Sequence, residues 1–263
     1  MPKQFPEFAF LGCTNFSKSL LLHLIESQCI PAVIFTIPEE FNISYSNDRV
    51  KNSNFANLHG IASEYSIPIY EVESKAGMRL EDYLEVVSKM GIRLMLVLGW
   101  YYMIPKSVRE SLEYGAWGIH ASLLSKYAGG APLSWAMIKG ETETGVTLFR
   151  MDEGIDDGDI ISQRSFKINP NDTIKEVYSK AEQSSKLVLS EILSDIGSVE
   201  FTPQDKSAIE FCPQRSPNDG ELDLSQSAED LYNFIRAQSS PYPGAFIRTV
   251  DGRKLIIEKA RLE

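Results

Sequence analysis

The residues best suited to chemistry are a histidine that directly follows a predicted strand and an acidic loop further along the chain. His120 lies in Gly118-Ile-His-Ala-Ser122, and Asp156 lies in Met151-Asp-Glu-Gly-Ile-Asp-Asp-Gly-Asp159. A carboxylate partner orients an imidazole for proton transfer near neutral pH. By residue type alone, a histidine is more often structural and an acidic turn is more often only solvated. The position of each in the fold therefore has to show whether it is functional.

Cysteine and metal chemistry are not predicted. Cys13, Cys29 and Cys212 lie far apart without CxxC spacing, so neither a disulfide framework nor a zinc site is expected. The chain holds 26 Lys and Arg against 36 Asp and Glu, a net charge of −10. This balance argues against nucleic acid as a partner, because non-specific binding requires basic side chains to neutralise phosphates.

Strand and helix patterns alternate from residue 8 to about residue 122. This alternation predicts an α/β fold with a Rossmann-like, mostly parallel sheet and helices on both faces. The predicted strands include residues 8–12, 31–37, 67–72 and 94–98, and the predicted helices include residues 55–65, 80–89 and 174–193. Ligands bind outside the carboxyl ends of such strands, so the loops after Leu11, Leu98 and Ile119 are the candidate site.

The chain has 263 residues, enough for one large domain and a small appendage. Residues 38–54 form a long polar stretch that predicts a loop. Beyond residue 204, a short helix over residues 228–237 and a hairpin around Asp251-Gly252 are predicted. We therefore expect a catalytic domain over residues 1–203 and a C-terminal helix and β-hairpin subdomain over residues 204–263.

No membrane partner is expected. The longest nearly apolar run, residues 94–105, has 12 residues, whereas a membrane-spanning helix needs about 20. The first residues lack the basic start and apolar core of a signal peptide, which predicts a cytoplasmic location.

Residues 118–163 resemble the tetrahydrofolate-dependent formyltransferases, which include glycinamide ribonucleotide, methionyl-tRNA and nucleotide-sugar N-formyltransferases. The similarity rests on Gly118-Ile-His-Ala-Ser-Leu-Leu-Ser-Lys-Tyr-Ala-Gly-Gly-Ala-Pro132, on Gly140-Glu-Thr-Glu-Thr-Gly-Val-Thr147 and on the acidic loop. A weaker likeness includes Arg236-Ala237 and Pro241-Tyr242-Pro243-Gly244.

The resemblance implies that His120 and Asp156 are catalytic and that Gly118 occupies the position of a catalytic asparagine. In the family this asparagine amide donates to the formyl oxygen as charge develops there. Loss of one such donor typically lowers the rate about 10²–10³-fold. Three outcomes stay open at this point: another group fills the vacated space, the enzyme is slow, or the chain has lost or changed the reaction.

The resemblance also implies the ligands and where they bind. N10-formyltetrahydrofolate is the expected cosubstrate, with no metal, and it lies against residues 98–104 and 151–156. The implied cofactor-binding residues are Leu98, Tyr102, Ile104, Met151, Asp152 and Glu153. The expected substrate-binding residues are Ser122 and Gly129 at the floor of the site, Tyr242, and Gly12, Thr14 and Asn15 in a turn whose free N–H groups would bind phosphate.

Among the family branches, the nucleotide-sugar N-formyltransferases fit best. Residues 204–263 are mildly acidic and few, which suits a small substrate better than tRNA phosphates. The expected function is formyl transfer to the amine of a nucleotide-linked amino-deoxysugar, as in surface-polysaccharide (lipopolysaccharide O-antigen) precursor synthesis. Alternatives are a methionyl-tRNA or other small-amine formyltransferase and a catalytically impaired folate- or nucleotide-sugar-binding relative. A homodimer is expected, because it would cover the edges of the C-terminal hairpin.

Overall fold

The computed structural model describes residues 5–43, 48–74 and 77–263. Residues 1–4, which carry the start of the predicted non-signal N-terminus, lie outside the described residues. So do residues 44–47 within the predicted polar loop. Among the residues that are described, no helix combines the length and the apolar composition needed to cross a membrane.

Thirteen strands are present in the described part of the chain: β1 (Phe8–Leu11), β2 (Val33–Thr36), β3 (Glu40–Phe41), β4 (Val50–Lys51), β5 (Ile69–Glu71), β6 (Leu94–Val97), β7 (Gly115–His120), β8 (Ala128–Gly129), β9 (Glu143–Arg150), β10 (Ile160–Lys167), β11 (Phe211–Cys212), β12 (Ala245–Arg248) and β13 (Lys254–Ile257). Seven of them form one sheet in the order β10-β9-β7-β6-β1-β2-β5. Five strands, from β7 to β5, run parallel, while β9 and β10 are antiparallel. The predicted α/β fold with a mostly parallel sheet is confirmed.

The α-helices are α1 (Asn15–Glu26), α2 (His59–Glu64), α3 (Leu84–Lys89), α4 (Lys106–Glu110), α5 (Pro132–Ile138), α6 (Ile174–Ser194) and α7 (Ala228–Gln238). Two predictions were too long. Residues 55–58 precede α2 as irregular structure, and Leu80–Tyr83 is a 3₁₀ turn that leads into α3. The apolar spacing of both segments is that of a helix, but tertiary contacts decide where the regular turns begin.

The central strands are buried on both faces. All four residues of β1 and of β6 are buried. One apolar cluster on one face includes Phe10, Leu24 and Trp117, and a second cluster on the other face includes Leu11 and Val97. Helices therefore cover both sides of the sheet, which explains why these strands lack polar alternation.

Three smaller strand pairs complete the fold. β3 and β4 pair antiparallel, so the predicted polar loop carries a short ladder at its two ends. β12 and β13 form the predicted C-terminal hairpin, and α7 contributes the buried Ala237 to the core. β11 pairs in parallel with β8 in the loop that follows β7. The chain beyond residue 204 therefore contacts the loop next to His120.

Candidate active site

His120 and Asp156 come together at the carboxyl end of β7. His120 is the last residue of that strand, and Asp156 lies in the loop between β9 and β10. His120 Nδ1 is 3.3 Å from Asp156 Oδ2, and both side chains are largely buried. The same Oδ2 accepts a hydrogen bond from the Gly129 N–H at 2.8 Å. Asp156 Oδ1 accepts no hydrogen bond from the described residues, so one oxygen of this carboxylate stays open.

The second ring nitrogen of His120 also faces an acceptor. His120 Nε2 is 2.7 Å from the carbonyl oxygen of Tyr127. Only a doubly protonated imidazole has an N–H for both a carbonyl and a carboxylate. The Tyr127 hydroxyl donates to Glu141 Oε1 at 2.7 Å, and burial together with this hydrogen bond raises the pKa of Tyr127. The carbonyl that meets His120 is therefore held by a residue that is anchored at its other end.

Several loop residues around the pair adopt left-handed backbone conformations. Asp156 has φ +52°, Tyr127 has φ +57° and Gly129 has φ +91°. Residues other than glycine rarely have backbone angles in this region, and those that do cluster at functional sites. At Gly129 a Cβ atom would lie 2.7 Å from the carbonyl oxygen of Cys212, so a glycine is required by both its conformation and its neighbour.

Gly118 lies two residues before His120 on β7, and Met151 fills the space beside it. A Cβ atom on Gly118 would lie 2.6 Å from Met151 Cε and 3.4 Å from Phe149 Cε1. The sequence left open whether another group fills the space of the missing asparagine. In the structure, the apolar side chain of Met151 occupies that space. A thioether and a methyl group supply no N–H donor, so the chemical role of the asparagine is not replaced from this position.

The expected cofactor-binding residues divide into two walls. The first wall is residues 98–104, in which Leu98 and Ile104 are buried and Tyr102 is half-buried. The second wall is residues 151–156, and its Met151 packs against the same apolar cluster as Tyr102. Asp152 and Glu153 are at the surface and form ion pairs: Asp152 with Arg109 at 3.3 Å and Glu153 with Lys106 at 3.0 Å.

Arg109 connects the two walls. Its Nε donates to the Ile104 carbonyl at 3.1 Å while its Nη1 reaches Asp152. The backbone N–H of Glu153, followed by the charges of Lys206 and Arg109, holds the pKa of Asp152 below its usual value. The two predicted walls are therefore neighbours that share one guanidinium.

A cavity of about 390 Å³ opens beside the first wall. Its lining includes Val72, Arg79, Leu80, Trp100, Tyr101 and Tyr102. The Trp100 Nε1–H is buried, with no hydrogen-bond partner in the described part of the chain. A larger cavity of about 460 Å³ lies elsewhere, between α7 and the loops at residues 140–143 and 167–170, and contains none of the predicted site residues.

In the turn that contains Gly12, Thr14 and Asn15, the N–H groups of residues 12–15 have internal partners, and a phosphate site there stays a prediction. The Cys13 and Thr14 N–H groups donate to Ser17 Oγ, and the Asn15 N–H donates to the Asn54 carbonyl. Thr14 Oγ1 accepts from the Ser17 N–H as an N-cap. Gly12 is also closed in, since a Cβ atom there would lie 2.5 Å from Ser17 Cβ. The physical reason is that the turn is built around a buried serine.

The two other expected substrate-binding side chains already have internal partners. Ser122 is fully buried, and its hydroxyl donates to the Lys126 carbonyl at 2.6 Å, which shapes the loop after His120. The Tyr242 hydroxyl contacts the hydroxyl of Tyr178 on α6, and Tyr178 has its pKa raised by burial and by its neighbours Tyr242 and Tyr101. Tyr242 thus belongs to a tyrosine cluster rather than to the His120 loop.

Residues 204–212, here called the strap, were not identified from the sequence. The strap crosses both loops of the site: the Ala128 N–H donates to the Glu210 carbonyl at 2.9 Å, and the Gly130 N–H donates to the Cys212 carbonyl at 2.8 Å. At its start, Gln204 Nε2 donates to the Asp156 carbonyl at 2.9 Å. A polar residue in an irregular segment, 48 positions from its partner, gives no local signal in a sequence.

In residues 5–43, 48–74 and 77–263, no three His, Cys, Asp or Glu side chains are placed to hold a metal ion. The polar groups that meet at the carboxyl end of β7 are the His120 imidazole, the Asp156 carboxylate and the Gly129 backbone amide.

Comparison with known proteins gives a consistent family assignment. A family model described as formyl transferase matches residues 10–193, and one described as formyl transferase, C-terminal domain, matches residues 215–263. The bifunctional polymyxin resistance protein ArnA of Wigglesworthia glossinidia brevipalpis is 34% identical over 215 residues, covering 79% of this chain and 32% of its own. The chain thus spans about a third of that relative.

Two further proteins are similar over most of their length. A methionyl-tRNA formyltransferase of Geobacter metallireducens is 29% identical over 252 residues, covering 95% of this chain and 78% of its own. The crystal structure of an N-formyltransferase from Helicobacter canadensis, in complex with folinic acid and dTDP-3-aminofucose, matches with a TM-score of 0.67 at 22% identity, covering 89% of this chain and 80% of that one. At this identity, the structural likeness establishes the fold.

Proposed function

The chain belongs to the formyltransferase family, and from that premise we propose that it transfers a formyl group from N10-formyltetrahydrofolate to the amine of a nucleotide-linked amino-deoxysugar. The observation that carries the proposal is the 3.3 Å contact between His120 Nδ1 and Asp156 Oδ2 at the carboxyl end of β7. Formyl transfer to an amine needs one group that accepts a proton and one that donates it, and this pair supplies both.

Each member of the pair has a distinct role. The open Oδ1 of Asp156 accepts the proton that the substrate amine loses, while Oδ2 stays bound to the Gly129 N–H and holds the imidazole. His120, whose Nε2 faces the Tyr127 carbonyl in this structure, is assigned the role of stabilising the developing negative charge and, once that contact is released, of giving a proton to the departing folate nitrogen. Bound folate would supply the activated formyl carbon.

The residues of the two walls fit a ring that is partly apolar and has a polar edge. Tyr102 and Met151 offer apolar contact, and the carboxylates of Asp152 and Glu153 lie at the surface of the second wall. Arg109 fixes the loops at residues 98–104 and 151–156 relative to each other, which gives such a ring a defined width. A cosubstrate held between these walls would lie beside the end of β7, because Val97 pairs with Gly118.

The substrate class is supported by charge and by one relative. The net charge of −10 suits a small anionic substrate at a local site better than a tRNA contacted over a large surface. The Helicobacter canadensis neighbour was crystallised with a dTDP-linked amino sugar. The second candidate, methionyl-tRNA, is supported by the 95% coverage of this chain in the match to the Geobacter metallireducens enzyme.

A homodimer through the C-terminal hairpin is part of the proposal. Leu255 and Ile256 on β13 are 52% and 41% exposed, and Val250 in the turn is fully exposed. Adjacent apolar side chains on an edge strand require a cover in solution. A second copy of the same hairpin offers the same apolar surface, and size-exclusion chromatography with light scattering measures the resulting mass.

One assay separates the candidate functions. The protein is incubated with N10-formyltetrahydrofolate and a panel of dTDP-, GDP- and UDP-linked amino sugars, with methionyl-tRNA as a parallel acceptor, and formamide products are identified by mass spectrometry. A formylated nucleotide sugar is the expected product. If formyl-methionyl-tRNA is the single product, the substrate is methionyl-tRNA and not a nucleotide sugar. Binding of folate and sugar without any product would identify a non-catalytic relative.

A further inference from the structure

Gln204 makes three hydrogen bonds between the two loops of the site. Its Nε2 donates to the Asp156 carbonyl at 2.9 Å and to the Gly158 carbonyl at 2.7 Å. Its Oε1 accepts from the Ser125 hydroxyl at 2.9 Å. One amide thus connects the loop that carries Asp156 with the loop that follows His120.

The hydrogen bond from Gln204 is made to the backbone of Asp156, and the proposed mechanism depends on the orientation of the Asp156 side chain. Asp156 has φ +52°, a conformation with an intrinsic cost for a residue that has a Cβ atom. Fixing its carbonyl oxygen fixes its peptide plane, and that plane sets the direction in which the side chain leaves the backbone. We propose that Gln204 is a positioning residue that keeps Asp156 Oδ2 directed at His120; this role rests on the proposed function.

Glutamine is suited to this position by its donors and acceptor. Its side-chain amide has two N–H groups for two carbonyls and one oxygen for a hydroxyl, and all three partners are present. The neighbouring Lys206 reaches Asp157 Oδ2 at 2.9 Å, but its side chain is 63% exposed. Because the Lys206 end of this pair is solvated, we assign the side-chain link between the two loops to Gln204.

The test compares Gln204→Met and Gln204→Glu with Ser207→Ala as the control on the same strap, because the exposed Ser207 hydroxyl donates to Asp205 within the strap. Gln204→Met loses both donors, and kcat falls about 10²-fold with KM unchanged, as expected for a misplaced catalytic group. Gln204→Glu at neutral pH places a carboxylate against two carbonyls and is at least as slow. When the pH falls, its protonated form regains one O–H donor, so its kcat relative to that of Gln204→Met rises. Ser207→Ala stays within about twofold of the parent protein, as expected for an exposed position.

A second measurement does not depend on turnover. The imidazole of His120 is followed by ¹⁵N NMR, with His23→Ala and His59→Ala assigning the other two histidines. In Gln204→Met the His120 resonance moves toward its position in Asp156→Asn. If the parent protein forms no formamide, the proposed function fails, and this resonance still reads the positioning of Asp156.

Three results would overturn the role of Gln204. They are an unmoved His120 resonance in a folded Gln204→Met protein, a kcat equal to that of the parent, and one shared pH profile for the two Gln204 variants.

Discussion

Two turns at the same edge of the sheet differ in how their polar groups are used. The turn after β1 carries Gly12 and leads into α1, and the loop after β7 carries Gly129 and leads into α5. In the first turn, the N–H groups of residues 13–15 donate to internal partners. At the second, His120 at the end of β7 faces the carboxylate of Asp156 from the loop between β9 and β10, and Asp156 Oδ1 accepts no hydrogen bond from the described residues. Topology selects both turns as sites, and only the hydrogen bonds distinguish them.

The difference has a consequence for mutagenesis. Substitutions beside His120 should change turnover with little effect on folding, because the proposed function assigns these groups to the reaction. Substitutions in the β1 turn should change stability with little effect on turnover, because its groups are committed to the fold. Four variants or modifications test this division.

The largest effect is expected for His120→Ala. If His120 has the proposed role, its loss lowers kcat about 10²–10⁴-fold, while folate affinity stays near that of the parent, because the proposed folate walls at residues 98–104 and 151–156 are untouched. His23→Ala is the matched control, since His23 Nε2 contacts Ser190 Oγ on α6 at 2.8 Å, away from β7. Steady-state kinetics and folate binding measure both. A folded His120→Ala protein with near-parent turnover would remove the imidazole from the mechanism.

The next effect concerns Gly118 and Met151. An asparagine at position 118 competes with Met151 for one space, because its Cβ atom would lie 2.6 Å from Met151 Cε. Gly118→Asn alone should therefore not raise kcat, although the sequence alone suggests that it would. The double variant with Met151→Ala should exceed Gly118→Asn by about tenfold, part of the 10²–10³ that one oxyanion donor supplies.

A double-mutant cycle with Met151→Ala alone isolates the coupling between the two positions. Additive effects would mean that asparagine and methionine do not share the space. An increase in kcat for Gly118→Asn alone would mean that Met151 moves aside without cost.

The comparison also explains what the sequence could and could not predict. The strands at residues 8–11 and 94–97 were predictable because both faces of each are buried and their apolar runs are continuous. The juxtaposition of His120 and Asp156 followed from the resemblance and from the edge of the sheet. The bond between Gln204 and Asp156 and the contact of Met151 with Gly118 were not predictable, because each depends on how separate loops pack. The internal pairing of the Cys13 and Thr14 N–H groups was not predictable for a related reason: nothing local in the sequence shows that Ser17 turns inward.

A smaller, opposite effect is expected for Ser17→Ala in the β1 turn. Ser17 Oγ accepts from two backbone N–H groups and donates to the Leu98 carbonyl, and its side chain is fully buried. Its removal takes away the acceptor of the buried Thr14 N–H, while the Cys13 N–H keeps the Gly99 carbonyl, and should lower the free energy of unfolding by about 1–3 kcal/mol, with kcat/KM unchanged below the unfolding transition. Ser63→Ala on the exposed face of α2 is the control and should have no measurable effect. A loss of turnover without a loss of stability would assign the β1 turn to the site.

The smallest effect on activity is expected from alkylation of the cysteines. The reactivity of Cys13 tests whether the turn after β1 stays closed in the folded protein. Burial raises the pKa of this thiol to about 12, so at pH 8 only about one molecule in 10⁴ carries the thiolate that reacts with iodoacetamide. Cys29 is partly exposed, and its pKa is raised less far. In the folded protein, peptide mass spectrometry should find Cys29 alkylated well before Cys13, with activity retained, whereas both react in guanidinium. Equal rates in the folded state would mean that the β1 turn opens in solution; its N–H groups would then be available to a phosphate after all, and the contrast with the His120 loop would no longer hold.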